Sequence, residues 1–195
     1  MRKIWIAAFA VAVLASSQAS AINTRKDWDG TTNVGALGCT NYASNYGQVI
    51  TVPKFKSAIG EFSFFMSGSP TSSSMVVRAE IYQWDSVNQR AMGSALYESA
   101  PRTIAFSDGN FHRVTFHANT AVASSTQYIA FVTTDKNFDQ CVNSYRVSWA
   151  MVPKGTYKGG HFYYLQTNGD PSLWTTTTWN SYIYDTAFTA TLSVH

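Results

Sequence analysis

Residues 159–194 read GGHFYYLQTNGDPSLWTTTTWNSYIYDTAFTATLSV, and this stretch indicates the fold of the chain. Its last part, residues 186–194, alternates apolar and polar side chains, which is the period of a half-buried β-strand. The part before that strand is rich in aromatic residues, threonine and turn-forming residues, as in proteins built from strands and loops. We therefore expect the chain to close on a core strand that is preceded by an aromatic loop, residues 168–180.

Strand alternation recurs along the chain, whereas long helical periodicity does not. Residues 75–84, MVVRAEIYQW, give the clearest case, because every second residue from Met75 to Ile81 is apolar. Residues 128–132 are apolar without interruption, which indicates a buried strand. About ten such strands are separated by turns at the spacing of an antiparallel sandwich. The predicted fold is all-β: an antiparallel β-sandwich that is jelly-roll-like.

The chain begins with the three parts of a secretory signal peptide. A basic start is followed by an apolar run over residues 4–15 and by small residues that end in an A-x-A box at residues 19–21. The apolar run has 12 residues, whereas a helix that spans a bilayer needs about 20. We expect residues 1–21 to be removed by cleavage near Ala21, which gives a secreted protein, extracellular or periplasmic, with no membrane span.

Composition limits the partners of the exported part, residues 22–195. This length suits a single domain, in which we expect residues 22–47 to form an irregular lead-in. Removal of Arg2 and Lys3 lowers the formal net charge from +3 to +1, and the remaining charges are scattered. Because nucleic-acid binding needs a cationic stripe, we expect no nucleic-acid partner.

Cys39 and Cys141 are the two cysteines of the chain. In an oxidising compartment two thiols favour one disulfide, which here would close a loop of 102 positions. Such a bridge restricts the unfolded chain by about 4–5 kcal/mol in the entropy model. The alternative is a pair of buried free thiols.

Several segments resemble a known group of proteins. The series IYQWD, GSALYES, FHRVTF, TQYIAFVTT, YKGGHFYYLQTNGDPSLWTTTTWN and YDTAFTATL is similar to secreted bacterial β-sandwich domains of unassigned activity, some of which carry a C-terminal sorting tail of the PEP-CTERM kind. The resemblance covers residues 48–192 and implies a secreted sandwich domain. This chain departs from the tailed members because it stops after its last predicted strand, which argues against the surface anchoring that such a tail implies. At the level of fold it also resembles jelly-roll carbohydrate-binding modules, which implies sugar binding without assigning residues.

Hydrolytic chemistry has little support in the sequence. His112 and His117 fall on opposite faces of one predicted strand, and the chain has no H-E-x-x-H or G-x-S-x-G motif. Glu61 and Glu80 lie on strands that could be neighbours, and two carboxylates about 5–9 Å apart could hydrolyse a glycoside. Glu80 can instead pair with Arg78, two residues away on the same face. We expect no catalytic role and no cofactor, with a glycoside hydrolase as the weaker alternative.

Four aspartates leave the question of a metal open. Asp27 and Asp29 lie near the start of the exported chain, and Asp170 and Asp185 lie near its end. Carboxylates that meet where the termini meet can hold a structural calcium ion. Their spacing matches no calcium loop of the EF-hand type, so ordinary turn aspartates are the other interpretation.

Aromatic residues outside the expected core carry the functional prediction. Trp174 and Trp179 lie in the loop 168–180, and Tyr82 and Trp84 lie on the face of residues 75–84 that is turned away from the core. A flat ring can stack on a sugar, and nearby Arg78 and Asp170 could bond its hydroxyl groups. These six residues are the predicted ligand contacts of a non-catalytic module for an extracellular glycan.

The same rings could equally be structural anchors, because most tryptophans in a domain of this size are buried. In that alternative the protein is structural or associated with a cell surface, it has no small ligand, and its aromatic loop packs against the sandwich or a partner protein. The metal and the oligomeric state are left undetermined by the sequence.

Overall fold

The computed structural model describes residues 20–68, 74–141 and 145–194. This part of the chain contains fourteen strands, one α-helical turn and two short 3-10 segments, Arg25–Asp27 and Asp135–Gln140. In chain order the elements are β1 (Ser20–Asn23), β2 (Asn33–Leu37), β3 (Asn45–Thr51), β4 (Ala58–Gly68), β5 (Met75–Asp85), β6 (Arg90–Glu98), β7 (Arg102–Ile104), β8 (His112–Ala121), β9 (Gln127–Thr133), β10 (Val147–Val152), β11 (Phe162–Leu165), α1 (Leu173–Thr176), β12 (Asn180–Ser181), β13 (Asp185–Thr186) and β14 (Phe188–Ser193).

The strands form two seven-stranded antiparallel sheets. The first has the order β1-β14-β4-β10-β13, with β8 beside β4 and β2 beside β10. The second has the order β12-β11-β3-β9-β5-β6, with β7 beside β5. The predicted all-β sandwich is confirmed, with more strands than the ten or so expected, because several strands are too short to show an alternation.

The core lies between the two sheets, where their inward-facing side chains meet. Phe64 of β4 contacts two further rings, with centroids 4.3 Å from Trp149 of β10 and 5.0 Å from Phe188 of β14. All three residues are fully buried, as their alternation predicted. Val194 departs from the pattern and is 53% exposed, because it lies beyond the end of β14.

The second sheet is covered on its outer face as well. Residues 168–180, which include α1, fold back over it and bury a second group of apolar side chains. We call this group the outer cluster; it contains Val49, Tyr82, Trp84, Ala91, Ile129, Phe131, Tyr163, Leu165, Trp174 and Trp179. As a result β9 is buried on both faces, which confirms the interpretation of its uninterrupted apolar run.

Residues 22–47 are more regular than predicted. They contain β2, which pairs with β10, and the second half of β1, which pairs with β14. The polar, glycine-containing sequence of β2, NVGAL, has no clear alternation, so its pairing depends on its neighbour rather than on its own pattern.

The predicted disulfide is confirmed. Cys39 and Cys141 are bridged, with their Cα atoms 6.0 Å apart, so the segment after β2 is tied to the end of the 3-10 segment Asp135–Gln140.

The predicted signal peptide lies mainly outside the described residues, which begin at Ser20. Ala21, at the predicted cleavage site, lies within β1 opposite Thr191. Cleavage there would leave Ile22 and Asn23 to pair with β14. Among the described residues, no helix is long and apolar enough to cross a membrane.

Candidate functional site

Most of the aromatic side chains predicted to bind a ligand lie in the outer cluster. Trp174 and Trp179 are each 1% exposed, and Tyr82 is 9% exposed. The Trp174 ring lies edge-on to Tyr82 and to Phe131, with centroid distances of 5.9 and 5.1 Å. These rings thus pack against one another. A sugar could stack on them only if residues 168–180 moved away.

A buried aspartate fixes the loop that covers the cluster. The indole Nε1 of Trp174 donates a hydrogen bond of 2.7 Å to Oδ2 of Asp135. The same carboxylate accepts hydrogen bonds from the Asn45 side-chain amide at 2.9 Å, from the Thr167 hydroxyl and from the backbone N–H of Gly169. Asp135 is 4% exposed, and β3, the segment 167–169 and α1 all donate hydrogen bonds to this one buried side chain. The loop 168–180 is therefore held in place by specific hydrogen bonds.

A cleft of about 500 Å³ opens beside the outer cluster. It lies between the second sheet, the turn that joins β5 to β6, and the segment 153–161, which we call the glycine loop. The described residues that line it are Val49, Trp84, Ser86, Gln89, Gln127, Gly155, Tyr157, Lys158, Gly160, His161, Tyr163 and Ile183. Trp84, one of the six predicted ligand residues, is among them.

Aromatic rings form one wall of the cleft. His161 stacks on Tyr163, with ring centroids 4.7 Å apart and planes 22° from parallel. Tyr163 in turn contacts Trp84 at a centroid distance of 4.5 Å. Tyr163 and Trp84 are each 5% exposed, so the partly exposed His161 supplies most of the accessible ring surface. Gln89 and Gln127 bring carboxamide groups to the same cleft. The cleft thus combines ring surfaces with neutral donors and acceptors of hydrogen bonds.

Backbone geometry holds the glycine loop against the second sheet. Gly160 has φ +151°, and a Cβ at this position would lie 2.2 Å from the carbonyl oxygen of Val49 in β3. The Thr51 hydroxyl donates a hydrogen bond of 2.7 Å to the carbonyl oxygen of Gly159. The Tyr157 hydroxyl also accepts a hydrogen bond of 3.0 Å from the Thr51 backbone N–H. The second glycine is thus required by the close approach of two backbones.

Burial controls the protonation of groups at the base of the cleft. Desolvation lowers the pKa of His161, although the nearby Asp185 carboxylate acts in the opposite direction. Desolvation also raises the pKa of Asp185, which accepts hydrogen bonds from the Tyr157 backbone N–H at 2.8 Å and the Gln48 amide at 3.1 Å. His161 therefore presents a neutral imidazole to the cleft at neutral pH.

A second group of charges lies at the other end of the second sheet. Glu80 is fully buried, and its Oε1 lies 3.2 Å from the Lys136 ammonium. Lys136 also pairs with Glu98, and its ammonium lies 5.5 Å from the ring centroid of Trp174. Desolvation raises the pKa of Glu80 to about 7 in spite of this pairing. Arg78, a predicted ligand residue, pairs with Glu98 at 2.9 Å rather than with Glu80.

The expectation that Glu61 and Glu80 could lie on neighbouring strands is wrong. Glu61 belongs to β4 in the first sheet, and Glu80 belongs to β5 in the second. Glu61 instead lies 3.5 Å from Arg113 and 3.4 Å from His117 on β8. Because the two carboxylates are held by different sheets, they do not form the pair that a glycosidase of this design would need.

The aspartates considered for calcium are found mostly in turns. Asp170 accepts hydrogen bonds from the backbone and hydroxyl of Ser172, at 2.9 and 2.6 Å, and Asp29 accepts similar bonds from Thr31 and Thr32. Among the described residues, no group of three or more His, Cys, Asp or Glu side chains is arranged to hold a metal ion.

Most residues of the cleft were not predicted from the sequence. Gln89, Gln127, Tyr157, Lys158 and His161 come from segments that are far apart in the chain. One local signal was present, because the pair Gly159–Gly160 directly precedes His161 and indicates a close backbone approach. The other residues carry no pattern that would bring them together.

These features define an all-β sandwich with an aromatic-lined cleft on the outer face of one sheet. No protein-family model and no curated protein sequence matches the chain. Among solved structures it is similar to Cwp84, a clostridial cysteine protease, in the form after propeptide cleavage: the TM-score is 0.55 at 10% identity, over 85% of this chain and 38% of the protease chain.

A second structure contains the cysteine protease and lectin-like domains of Cwp84, described as a surface layer associated protein of Clostridium difficile. It matches with a TM-score of 0.47 at 10% identity, over 77% of this chain and 32% of that chain. At this identity the likeness to Cwp84 shows a shared fold alone.

Proposed function

We propose that this protein is an extracellular, non-catalytic module that binds a glycan in the cleft beside the glycine loop. The observation that carries the proposal is that the partly exposed His161 ring, stacked on the buried Tyr163 ring, lines the same cleft as the carboxamides of Gln89 and Gln127. Ring surfaces can pack on the apolar face of a sugar, and carboxamides can bond its hydroxyl groups. A volume of about 500 Å³ is in the range of small-ligand sites.

Two general features support the compartment and the class. The Cys39–Cys141 bridge favours an oxidising environment, in agreement with the signal peptide predicted over residues 1–21. Double-sheet β folds are common scaffolds of lectin domains, although a fold by itself does not define a function.

The second candidate is a structural or surface-associated protein without a small ligand. Its specific support is the burial of Trp174 and Trp179, each 1% exposed. In this alternative residues 168–180 act only as a cover for the second sheet, and the cleft is an unoccupied surface feature.

A glycan array probed with the purified protein, followed by titration of each hit by tryptophan fluorescence, tests the proposal. Because Trp84 lines the cleft, a bound sugar should change the emission. His161→Ala should weaken binding at least about tenfold, or about 1.4 kcal/mol. The matched control is His117→Ala, an exposed histidine of the first sheet, which should bind like wild type.

Absence of any hit at millimolar glycan, on a sample shown to be folded by circular dichroism, would overturn the proposal and favour the structural candidate. Binding that is unaffected by His161→Ala would show that sugars are held elsewhere on the protein.

A further inference from the structure

A second hollow adjoins the cleft. It has a volume of about 360 Å³ and is lined by residues 22–24, Lys26, Asp27, Pro53, Thr156 and Tyr157, and by Ala21, which the predicted cleavage would remove. Tyr157 lines both the cleft and this hollow. Its position is fixed from both ends, since its backbone N–H donates to Asp185 and its hydroxyl accepts from the Thr51 N–H. The two concave surfaces therefore share one anchored side chain in their linings.

Lysines are concentrated around these two surfaces. Five of the six lysines in the described part of the chain belong to segments that line or flank them. Lys158 lines the cleft and Lys26 lines the hollow. Lys54 directly follows Pro53, Lys56 lies two residues further on, and Lys154 directly precedes Gly155. The sixth, Lys136, is held by Glu80 and Glu98 on the far part of the second sheet.

Acidic side chains are scarce at the same place. Among the described residues that line the cleft none is acidic, and Asp27 is the carboxylate that lines the hollow. The Asp27 carboxylate accepts a hydrogen bond of 3.0 Å from the Thr156 hydroxyl. Asp185 lies beneath the glycine loop and is fully buried. Asp85, which flanks the cleft beside Ser86, lies 3.8 Å from Arg90. Lysines therefore outnumber the exposed carboxylates that line or flank the two surfaces.

We propose that the cleft and the hollow form one continuous site for an acidic polysaccharide, which passes across Tyr157 and places its anionic groups near Lys158 and Lys26. This inference rests on the proposed function and adds the chemical class and the minimum length of the ligand. Concave surfaces lined by rings and amides fit a sugar chain, and the flanking lysines complement its charge. A neutral monosaccharide in the cleft would leave the hollow and Lys26 unused.

The test compares oligosaccharides of matched length by isothermal titration calorimetry. A hexamer of galacturonate should bind at least tenfold more tightly than a neutral glucose hexamer, and more tightly than a galacturonate dimer, which is too short to reach both surfaces. Its affinity should fall as salt is raised, because the contacts are exposed and screened. A sulfated glucose hexamer distinguishes a requirement for carboxylate from a requirement for negative charge on a sugar; both results are compatible with the proposal.

Two variants distinguish binding at this site from nonspecific attraction between the protein and an anionic ligand. The double variant Lys26→Ala/Lys158→Ala should lose at least tenfold in affinity for the galacturonate hexamer. Arg113→Ala, which removes a partly exposed cation from the first sheet, should not.

Three outcomes would overturn the inference. Equal affinity for the neutral hexamer would leave the glycan-binding function standing and remove only the acidic class. Equal affinity for the dimer would show that a single surface is used. Equal binding to phosphatidylglycerol vesicles would mean attraction to any anionic surface. If the wild-type protein binds neither hexamer and the glycan array is also blank, the proposed function fails as well.

Discussion

The indole nitrogen of Trp174 and a carboxylate oxygen of Asp135 lie 2.7 Å apart, and both side chains are buried. A loop tryptophan is thus joined to the segment that follows β9, 39 positions earlier in the chain. Trp179 extends the arrangement, because its indole donates to the backbone oxygen of Trp174 at 3.0 Å. The contact explains why an apparently exposed aromatic loop is an inner part of the fold.

Removal of the Asp135 carboxylate should destabilise the protein strongly. Asp135→Ala removes the acceptor of the buried Trp174 indole and one of the partners of Asn45 and of Thr167. We expect a loss of about 2–4 kcal/mol in the free energy of unfolding. Urea denaturation measures it. Asp170→Ala, which removes an exposed turn carboxylate from the same loop, should cost less than about 1 kcal/mol. Equal losses in the two variants would contradict the role given to Asp135.

Glu80 should make stability depend on pH in a specific direction. Its pKa is raised from 4.5 to about 7, so the folded state binds a proton that the unfolded state releases. Its contribution is fully present below pH 4.5 and is lost as the pH rises through about 7. Because each pKa unit corresponds to about 1.4 kcal/mol, the loss is on the order of 3 kcal/mol.

Comparison with Glu80→Gln isolates this effect from other titrating groups. The free energy of unfolding of the variant, relative to wild type, should increase steadily between pH 5 and pH 8 in urea titrations. A constant difference over that range would mean that Glu80 is already ionised in the folded protein at pH 5.

Loss of the disulfide should lower stability by several kcal/mol. The bridge spans 102 positions, for which the entropy model gives about 4–5 kcal/mol. Cys39→Ala/Cys141→Ala should therefore melt well below wild type in differential scanning calorimetry. Each single variant should melt close to the double variant, since either change removes the whole cross-link. Unchanged melting in the double variant would show that the bridge does not constrain the unfolded chain.

Substitution of Gly160 should displace the glycine loop and weaken the cleft. A Cβ at this position would meet the carbonyl oxygen of Val49 at 2.2 Å, so Gly160→Ala forces two backbones apart. We expect a loss of about 2–4 kcal/mol, at the upper end for a single backbone change. Gly93→Ala is the control, because Gly93 has a positive φ of +75° and open space around it, and should cost about 1–2 kcal/mol. Similar thermal denaturation of the two variants would contradict the close approach.

The core of the fold could be predicted because it depends on local alternation. Phe64, Trp149 and Phe188 each lie on the apolar parity of their own strand, and the structure buries all three. The alternation within each strand shows which of its side chains face the core, so these residues can be predicted without knowing which strands pair.

The outer face of the second sheet could not be interpreted in the same way. On β5 the residues Arg78, Glu80, Tyr82 and Trp84 share this face, and the mixture of charged and aromatic side chains resembles a solvated surface. Burial of Glu80 depends on Lys136, which is remote in sequence, and burial of the aromatic residues depends on the loop 168–180. The alternation within β5 cannot show that residues distant in sequence will bury this face.

The cleft was unpredictable for a related reason. Its wall is built from β3, β9, β11, the turn after β5 and the glycine loop, and their proximity follows from sheet order. The sequence could place Trp84 on the correct face of its strand. It could not place Gln127 and His161 beside that tryptophan, because nothing in either segment specifies its neighbours.

The pairing of β1 with β14 has a mechanical consequence. Because Ile22 lies opposite Ala190 in an antiparallel pair, the start of the exported chain and the end of β14 leave the sheet in the same direction. A force that pulls these ends apart would load the hydrogen bonds of β1 one at a time, so this strand should peel off at low tension. Tension would then pass from Cys39 to Cys141 through the covalent bridge, and residues 40–140, which hold β3 to β9, would carry no load.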